Sequence, residues 1–177
     1  MILSDKKEVQ KLIETVEINI EKTRNQITRI LEACDAKEAL ANLKFDKTAL
    51  DPLTGEPINF IEMLNQAYSD FVVLKAVKDL MDRYEGKAFE LHMGALTGFD
   101  IVSTDKKVVA ECFATVTAFN NQKIKKDSEK LMQLSDDVDR FIYFYSKDDS
   151  KDKIAAFTEK YEKITFISYC SVISQIQ

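Results

Sequence analysis

A chain of 177 residues, 45% apolar and 31% charged, is long enough for one domain with a sizeable core, and its four Gly and two Pro argue against disordered or fibrous character. No apolar run approaches the ~20 residues of a membrane-spanning helix. The net charge of −5 argues against nucleic-acid binding driven by overall charge, and three widely spaced cysteines without a CxxC or Cys/His cluster point to neither a zinc site nor a disulfide framework.

Residues Lys6 to Ala33 read as one helix, with Val9, Leu12, Ile13, Val16, Ile20, Ile27, Ile30 and Leu31 in a stripe at three- and four-residue spacing. Asp35 is placed to cap a short second helix ending near Phe45, with Glu38 in the capping-box position. Asp51-Pro52-Leu53-Thr54-Gly55-Glu56-Pro57 is the clearest loop. A long helix is predicted from about Ile58 to Tyr84, ended by Gly86.

The pattern then changes to strands. Ala88 to Met93 is a strand candidate, followed by the loop Gly94-Ala95-Leu96-Thr97-Gly98 and two strands around a turn at Asp105-Lys106. Asn120 or Asn121 is placed to cap a helix running to about Leu134, with Ile124, Leu131 and Leu134 inward. Arg140 to Tyr145 reads as an apolar strand, Asp152 to Tyr161 as a helix, and Ile164 to Tyr169 as a last strand. The order is helices, then β-β-β-α-β-α-β. It predicts a mixed α/β fold of α+β character, with a four- or five-stranded mixed sheet and N-terminal helices packed on it. One domain over 1–177 is expected, with a helical part over 1–50 and an α/β core over 58–177. The polar N-terminus, Met1-Ile2-Leu3-Ser4-Asp5-Lys6-Lys7, does not resemble a signal peptide, and reduced thiols suit a cytoplasmic protein.

Asp100 and Glu111 are the strongest chemical signal. A turn centred on Asp105-Lys106 makes paired positions sum to 211, so Thr104 faces Lys107, Val102 faces Val109 and Asp100 faces Glu111. Period two then sends both carboxylates from one face of the sheet. Directly opposed Cβ atoms lie roughly 4.5–5.5 Å apart, where like charges repel. A bound cation removes that repulsion, and hard oxygen ligands suit Mg²⁺. Glu111 is embedded in Val108-Val109-Ala110 and Cys112-Phe113-Ala114, where an uncompensated charge is costly.

Gly-Phe-Asp-Ile, a hairpin, Val-Ala-Glu-x-Phe, a helix and an apolar strand together resemble the PD-(D/E)xK nuclease superfamily, which includes many type II restriction endonucleases. The resemblance spans roughly residues 58–146. It implies an α-β-β-β-α-β, restriction-endonuclease-like core in which Asp100 and Glu111 bind Mg²⁺. It also implies that a glutamate from the preceding helix joins them; Glu62 matches that position, with Asp82 and Glu85 as rivals. The family usually carries a lysine two residues after the second acid, and Phe113 stands there instead. In some relatives a lysine from the following helix takes that role, and Lys123 and Lys125 lie where it would originate. The implied activity is Mg²⁺-dependent phosphodiester hydrolysis of DNA. The alternatives are a nuclease fold without catalysis that binds DNA or protein, and a helical interaction protein, with the Val9–Leu31 stripe as a homodimer or partner face.

Other features read more simply. His92 is the only histidine and shares a strand face with Glu90; with no visible partner, it suits a structural hydrogen-bonding or an exposed histidine better than a general base or phosphate contact. The 94–98 loop lacks the GxxxxGK[ST] pattern and serves to deliver Asp100 to its strand. Asn59, Glu62, Asn65 and Gln66 form a polar helix side, and Tyr143 and Tyr145 suit the edge of a core.

Overall fold

A computed structural model describes residues 1–94, 98–116, 122–146 and 151–169. The chain divides into two compact units, one comprising Met1–Lys6 and Phe71–Gln177 and the other Lys7–Asp70. Among the described residues there are five helices and a six-stranded mixed sheet. None of those helices is long and apolar enough to cross a membrane.

The Lys7–Asp70 unit is helical. Helix α1 spans Lys6–Ala33, as its apolar spacing predicts, and α2 spans Ala36–Phe45. Asp35 caps α2 by accepting from the N–H groups of Lys37 and Glu38 at 2.9 and 3.0 Å. Strands β2 (Ala49–Leu50) and β3 (Pro57–Ile58) pair across the Pro/Gly loop. Helix α3 spans Phe60–Arg83. It therefore begins two residues later than predicted, because Pro57 and Ile58 belong to the small hairpin and Asn59 accepts from the Glu62 N–H at 2.9 Å. A local core forms from Ala49, Met63 and Ala67, with Ile20, Ile58 and Phe60 against it.

The other unit is built on the sheet, whose strand order is β1-β4-β5-β6-β7-β8. These strands are β1 (Ile2–Leu3), β4 (Phe89–Leu91), β5 (Ile101–Ser103), β6 (Val108–Thr115), β7 (Asp139–Ser146) and β8 (Ile164–Tyr169). β1 is a short edge strand that the sequence pattern does not announce. β4, β5 and β6 form an antiparallel meander, whereas β6, β7 and β8 are parallel. Parallel neighbours need crossover connections, and the helices α4 (Lys123–Leu131) and α5 (Lys151–Lys160) lie in those connections. β6 and β7 read as continuous apolar runs because they are central strands covered on both faces.

The two faces of the sheet differ. On one, the Tyr143 hydroxyl donates to Asp79 of α3 at 2.5 Å, and Phe141 meets Tyr84 edge-on. On the other, Val109, Phe113, Ile142 and Phe144 join Ile124 and Leu131 of α4 in one core, with Ile154 and Phe157 of α5 packed against it. Phe113 stacks on Phe144 with ring centroids 5.6 Å apart. Buried Arg140 fastens α4 to the sheet. Its Nε donates to the Leu131 carbonyl at 3.0 Å, and its Nη2 donates to the Leu134 and Ser135 carbonyls at 2.8 Å.

The hairpin register agrees with the sum of 211, since Ile101 pairs with Ala110 and Val102 with Val109. The turn itself is wider than expected, and the ladder does not continue to a Thr104–Lys107 pair. The buried Ser103 hydroxyl explains this: it accepts from the N–H groups of Lys107 and Val108 at 3.1 and 2.9 Å and donates to Asp105 at 2.6 Å. Lys106 then takes a left-handed φ of 58°. The candidate helix caps Asn120 and Asn121 lie outside the described residues, as do positions 95–97 of the glycine-flanked loop.

Candidate functional site

Glu111 is the centre of the site. β6 turns its side chain onto the α4-covered face, together with Val109 and Phe113, and leaves it 2% exposed. Asp100 sits just before β5, half-buried, and its Oδ2 accepts from the Cys112 N–H at 2.6 Å. Asp100 lies close enough to Glu111 to raise its carboxyl, through hydrogen bonding and charge. The structure thus brings the two predicted acids together.

Asp100 is held by the segment before it. The His92 N–H donates to the Asp100 carbonyl, and His92 Nδ1 lies 2.9 Å from the Phe99 carbonyl. Gly98, at φ +128°, is needed there, because an added Cβ would stand 3.1 Å from His92 Nδ1. Nε2 of the same ring lies 3.2 Å from Glu90. His92 is therefore a structural, positioning histidine, with partners in Glu90 and the Phe99 carbonyl that the sequence did not reveal.

The lysine that reaches Glu111 is Lys130, from the last turn of α4. Its Nζ bonds Glu111 Oε1 and the Gly98 carbonyl, and lies 4.4 Å from the Phe99 ring centroid. The other helix lysines lie elsewhere. Lys123 pairs with Asp127 at 3.0 Å and sits 6.0 Å from the Phe113 ring centroid. Lys125 is exposed and turned to Glu129 at 3.8 Å. Glu62 is exposed in the first turn of α3, within the helical unit. Asp82 pairs with Lys6.

Asp127 is a further acid that the motif reading does not single out. It is 5% exposed, one carboxylate oxygen accepts from Lys123, and Oδ2 has no hydrogen-bond partner. An unsatisfied buried acceptor costs about 1–3 kcal/mol. The signal that finds it is helical phase. Ile124 and Leu131 mark the inward stripe, and Asp127 lies three residues after one and four before the other. The same phase places Lys123 and Lys130 seven residues apart on one face.

Electrostatics follow from burial. Glu111 is pushed up to about 8, mainly by desolvation; the Lys130 hydrogen bond opposes the rise, and Asp100 and Asp127 add to it. Asp127 is also raised, first by burial, against the pull of Lys123. Burial works to lower the Lys123 ammonium, but Asp127, Glu111 and Asp100 outweigh it and leave it raised. The Cys112 thiol, behind Glu111 on the strand, is driven far up by burial and has no thiolate character at neutral pH.

Two neighbouring carboxylates offer the hard oxygen donors that Mg²⁺ takes, and Mg²⁺ sites commonly use only one or two carboxylates. The donor set therefore fits that ion. Among the described residues no three His, Cys, Asp or Glu side chains stand converged on one point. In comparisons with known proteins, no family model, no curated protein and no solved structure matches the chain.

Proposed function

We propose that the chain is a Mg²⁺-dependent DNA endonuclease of the PD-(D/E)xK type, with Lys130 in place of the motif lysine. The observation that carries the proposal is the contact of Lys130 Nζ with buried Glu111 beside Asp100. The element order α3-β4-β5-β6-α4-β7, with an antiparallel meander followed by a parallel strand, supports the restriction-endonuclease-like reading.

Asp100 and Glu111 would hold the ion, which supplies positive charge for the phosphate oxygens and acidity for a water. Glu111, raised by burial, would give up its proton before both acids serve as ligands, so cation entry would release a proton. Lys130 lowers the cost of the ionised Glu111 and presents an ammonium donor at the mouth of the site, where it can orient the attacking water. Lys123, on the same helix face, offers a second cation for the phosphate. Cys112 N–H keeps Asp100 aimed at Glu111. Phe113 excludes water behind the acids rather than serving as the strand lysine.

The test is nicking of mixed DNA with Mg²⁺ or Mn²⁺ by wild type, Asp100→Ala, Lys130→Met and Lys125→Met. Loss of a positioned proton-transfer or orienting group lowers rates by roughly 10²–10⁴-fold. That loss is expected for Asp100→Ala and Lys130→Met, with no change for Lys125→Met. Equal cleavage by wild type and Asp100→Ala, or by wild type and Lys130→Met, refutes the assignment. A second reading, a nuclease-like core that binds without cutting, is favoured by the burial of Phe113 at the motif-lysine position. Salt-sensitive DNA binding with no cleavage in either metal would select it.

A further inference from the structure

Lys123, Asp127 and Lys130 recur at i, i+4 and i+7 and so form one row along two turns of α4. Both ends of the row are fixed to β6. Lys130 bonds Glu111, and Lys123 lies over the ring of Phe113, two residues further along the same strand face. Asp127 is thereby set between them, above the strand that carries Glu111. Its helix neighbours Ile124, Ser128 and Leu131 are at most 1% exposed, the Ser128 hydroxyl is committed to the Ile124 carbonyl at 2.7 Å, and its partner Lys123 reaches solvent.

A carboxylate in such a place is a poor choice for packing, since apolar residues of similar volume commonly do as well or better. Lys123 answers only one of its oxygens, and buried Oδ2 is left without a hydrogen bond. Glu111 and Asp100 both interact electrostatically with Asp127. The row therefore places a third acid, with an uncommitted oxygen, on the helix that covers the pair, within electrostatic range of both acids but not converged on them as it stands.

We propose that Asp127 is a third carboxylate ligand of the divalent cation held by Asp100 and Glu111, with Lys123 as the counter-ion it exchanges when the cation enters. The inference rests on the metal reading of the Asp100–Glu111 pair. The class of ligand is a hard, oxygen-loving divalent ion, Mg²⁺ or Mn²⁺. Asp127 reaches it by turning from Lys123, and that turn frees the Lys123 ammonium from its carboxylate to face a phosphate at the same opening.

Calorimetric titration of the full chain with MnCl₂, without DNA, tests this. Wild type, Asp127→Asn, Asp127→Glu, Asp100→Ala and Lys123→Met are compared, with Mn²⁺-induced thermal shifts as a second readout. Asp127→Asn is expected to weaken Mn²⁺ binding by about tenfold or more, within the range for disturbed metal sites, and to reduce the thermal shift. Asp127→Glu should recover part of both. Lys123→Met removes the competitor for Asp127 and should tighten binding by about threefold, the size of a partly exposed ion pair. If Asp127→Asn does not fold, Lys123→Met decides: unchanged or weaker binding overturns the proposal. Wild-type affinity in Asp127→Asn, with binding lost in Asp100→Ala, overturns the Asp127 assignment alone. No Mn²⁺ binding by wild type, or equal binding by Asp100→Ala, overturns the metal pair and this inference with it.

Discussion

Glu111→Gln should make the protein more stable in alkaline solution, at the expense of the proposed activity. In the folded chain Glu111 is raised from 4.5 to about 8, chiefly by desolvation. The sign follows from linkage. A carboxyl that holds its proton more tightly when folded contributes full stability below its unfolded value, and loses it as pH rises through the folded value. Each pH unit of that span corresponds to about 1.4 kcal/mol, so the rise of about 3.5 sets a ceiling of about 5 kcal/mol. Gln keeps the shape and never ionises, and its amide can donate to Asp100. It gives up the Lys130 ion pair, a small loss because the Lys130 side chain is 42% exposed. Urea unfolding of both proteins at pH 5 and pH 9 measures the difference. The variant should lie within about 1 kcal/mol of wild type at pH 5 and exceed it by about 2–4 kcal/mol at pH 9. A gap that does not widen between the two pH values would refute the assigned burial cost.

Ser103→Ala leaves the Val108 N–H without its side-chain acceptor, while the Lys107 N–H keeps Asp105 at 3.2 Å, which should cost about 1–3 kcal/mol in urea unfolding; a cost under about 0.5 kcal/mol would show that the hydroxyl does not hold the turn. Phe113→Lys places a lysine at the strand position of the proposed PD-(D/E)xK motif, yet it should destabilise the chain by about 3–5 kcal/mol and fail to raise cleavage, because it puts a second cation inside an aromatic core beside Phe144. Faster cleavage by that variant would show that Lys130 does not fill the role.

The parts of the fold that the sequence made legible were those in which one pattern has one meaning. The stripe from Val9 to Leu31 matches the period of a helix, and α1 has the predicted bounds. The spacing of Asp100 and Glu111 around Asp105-Lys106 gave the correct register even though Ser103 widened the turn, because register depends on the sum of paired positions and not on the turn's detail. Lys130 was harder to find. Four lysines lie between 123 and 130, and charge alone does not rank them. Only the helical phase set by Ile124 and Leu131 separates Lys130 from Lys125, and that phase, though legible in the inward stripe, does not say which lysine reaches Glu111. β1 was missed because a two-residue strand has no period to read.

The Arg140 guanidinium has a kinetic consequence. By holding the carbonyls of Leu131, Leu134 and Ser135, it joins the end of α4 to the first residues of β7. Sliding of α4 would break several buried charge-assisted hydrogen bonds at once. Any release of Glu111 by Lys130 would therefore be confined to the four-carbon Lys130 side chain. Such rotamer changes take picoseconds to nanoseconds in exposed groups, far faster than the microsecond-to-millisecond shifts of packed elements. Loading of the proposed metal site would then be set by how fast an ion arrives and sheds its water, with only side-chain rotations ahead of it.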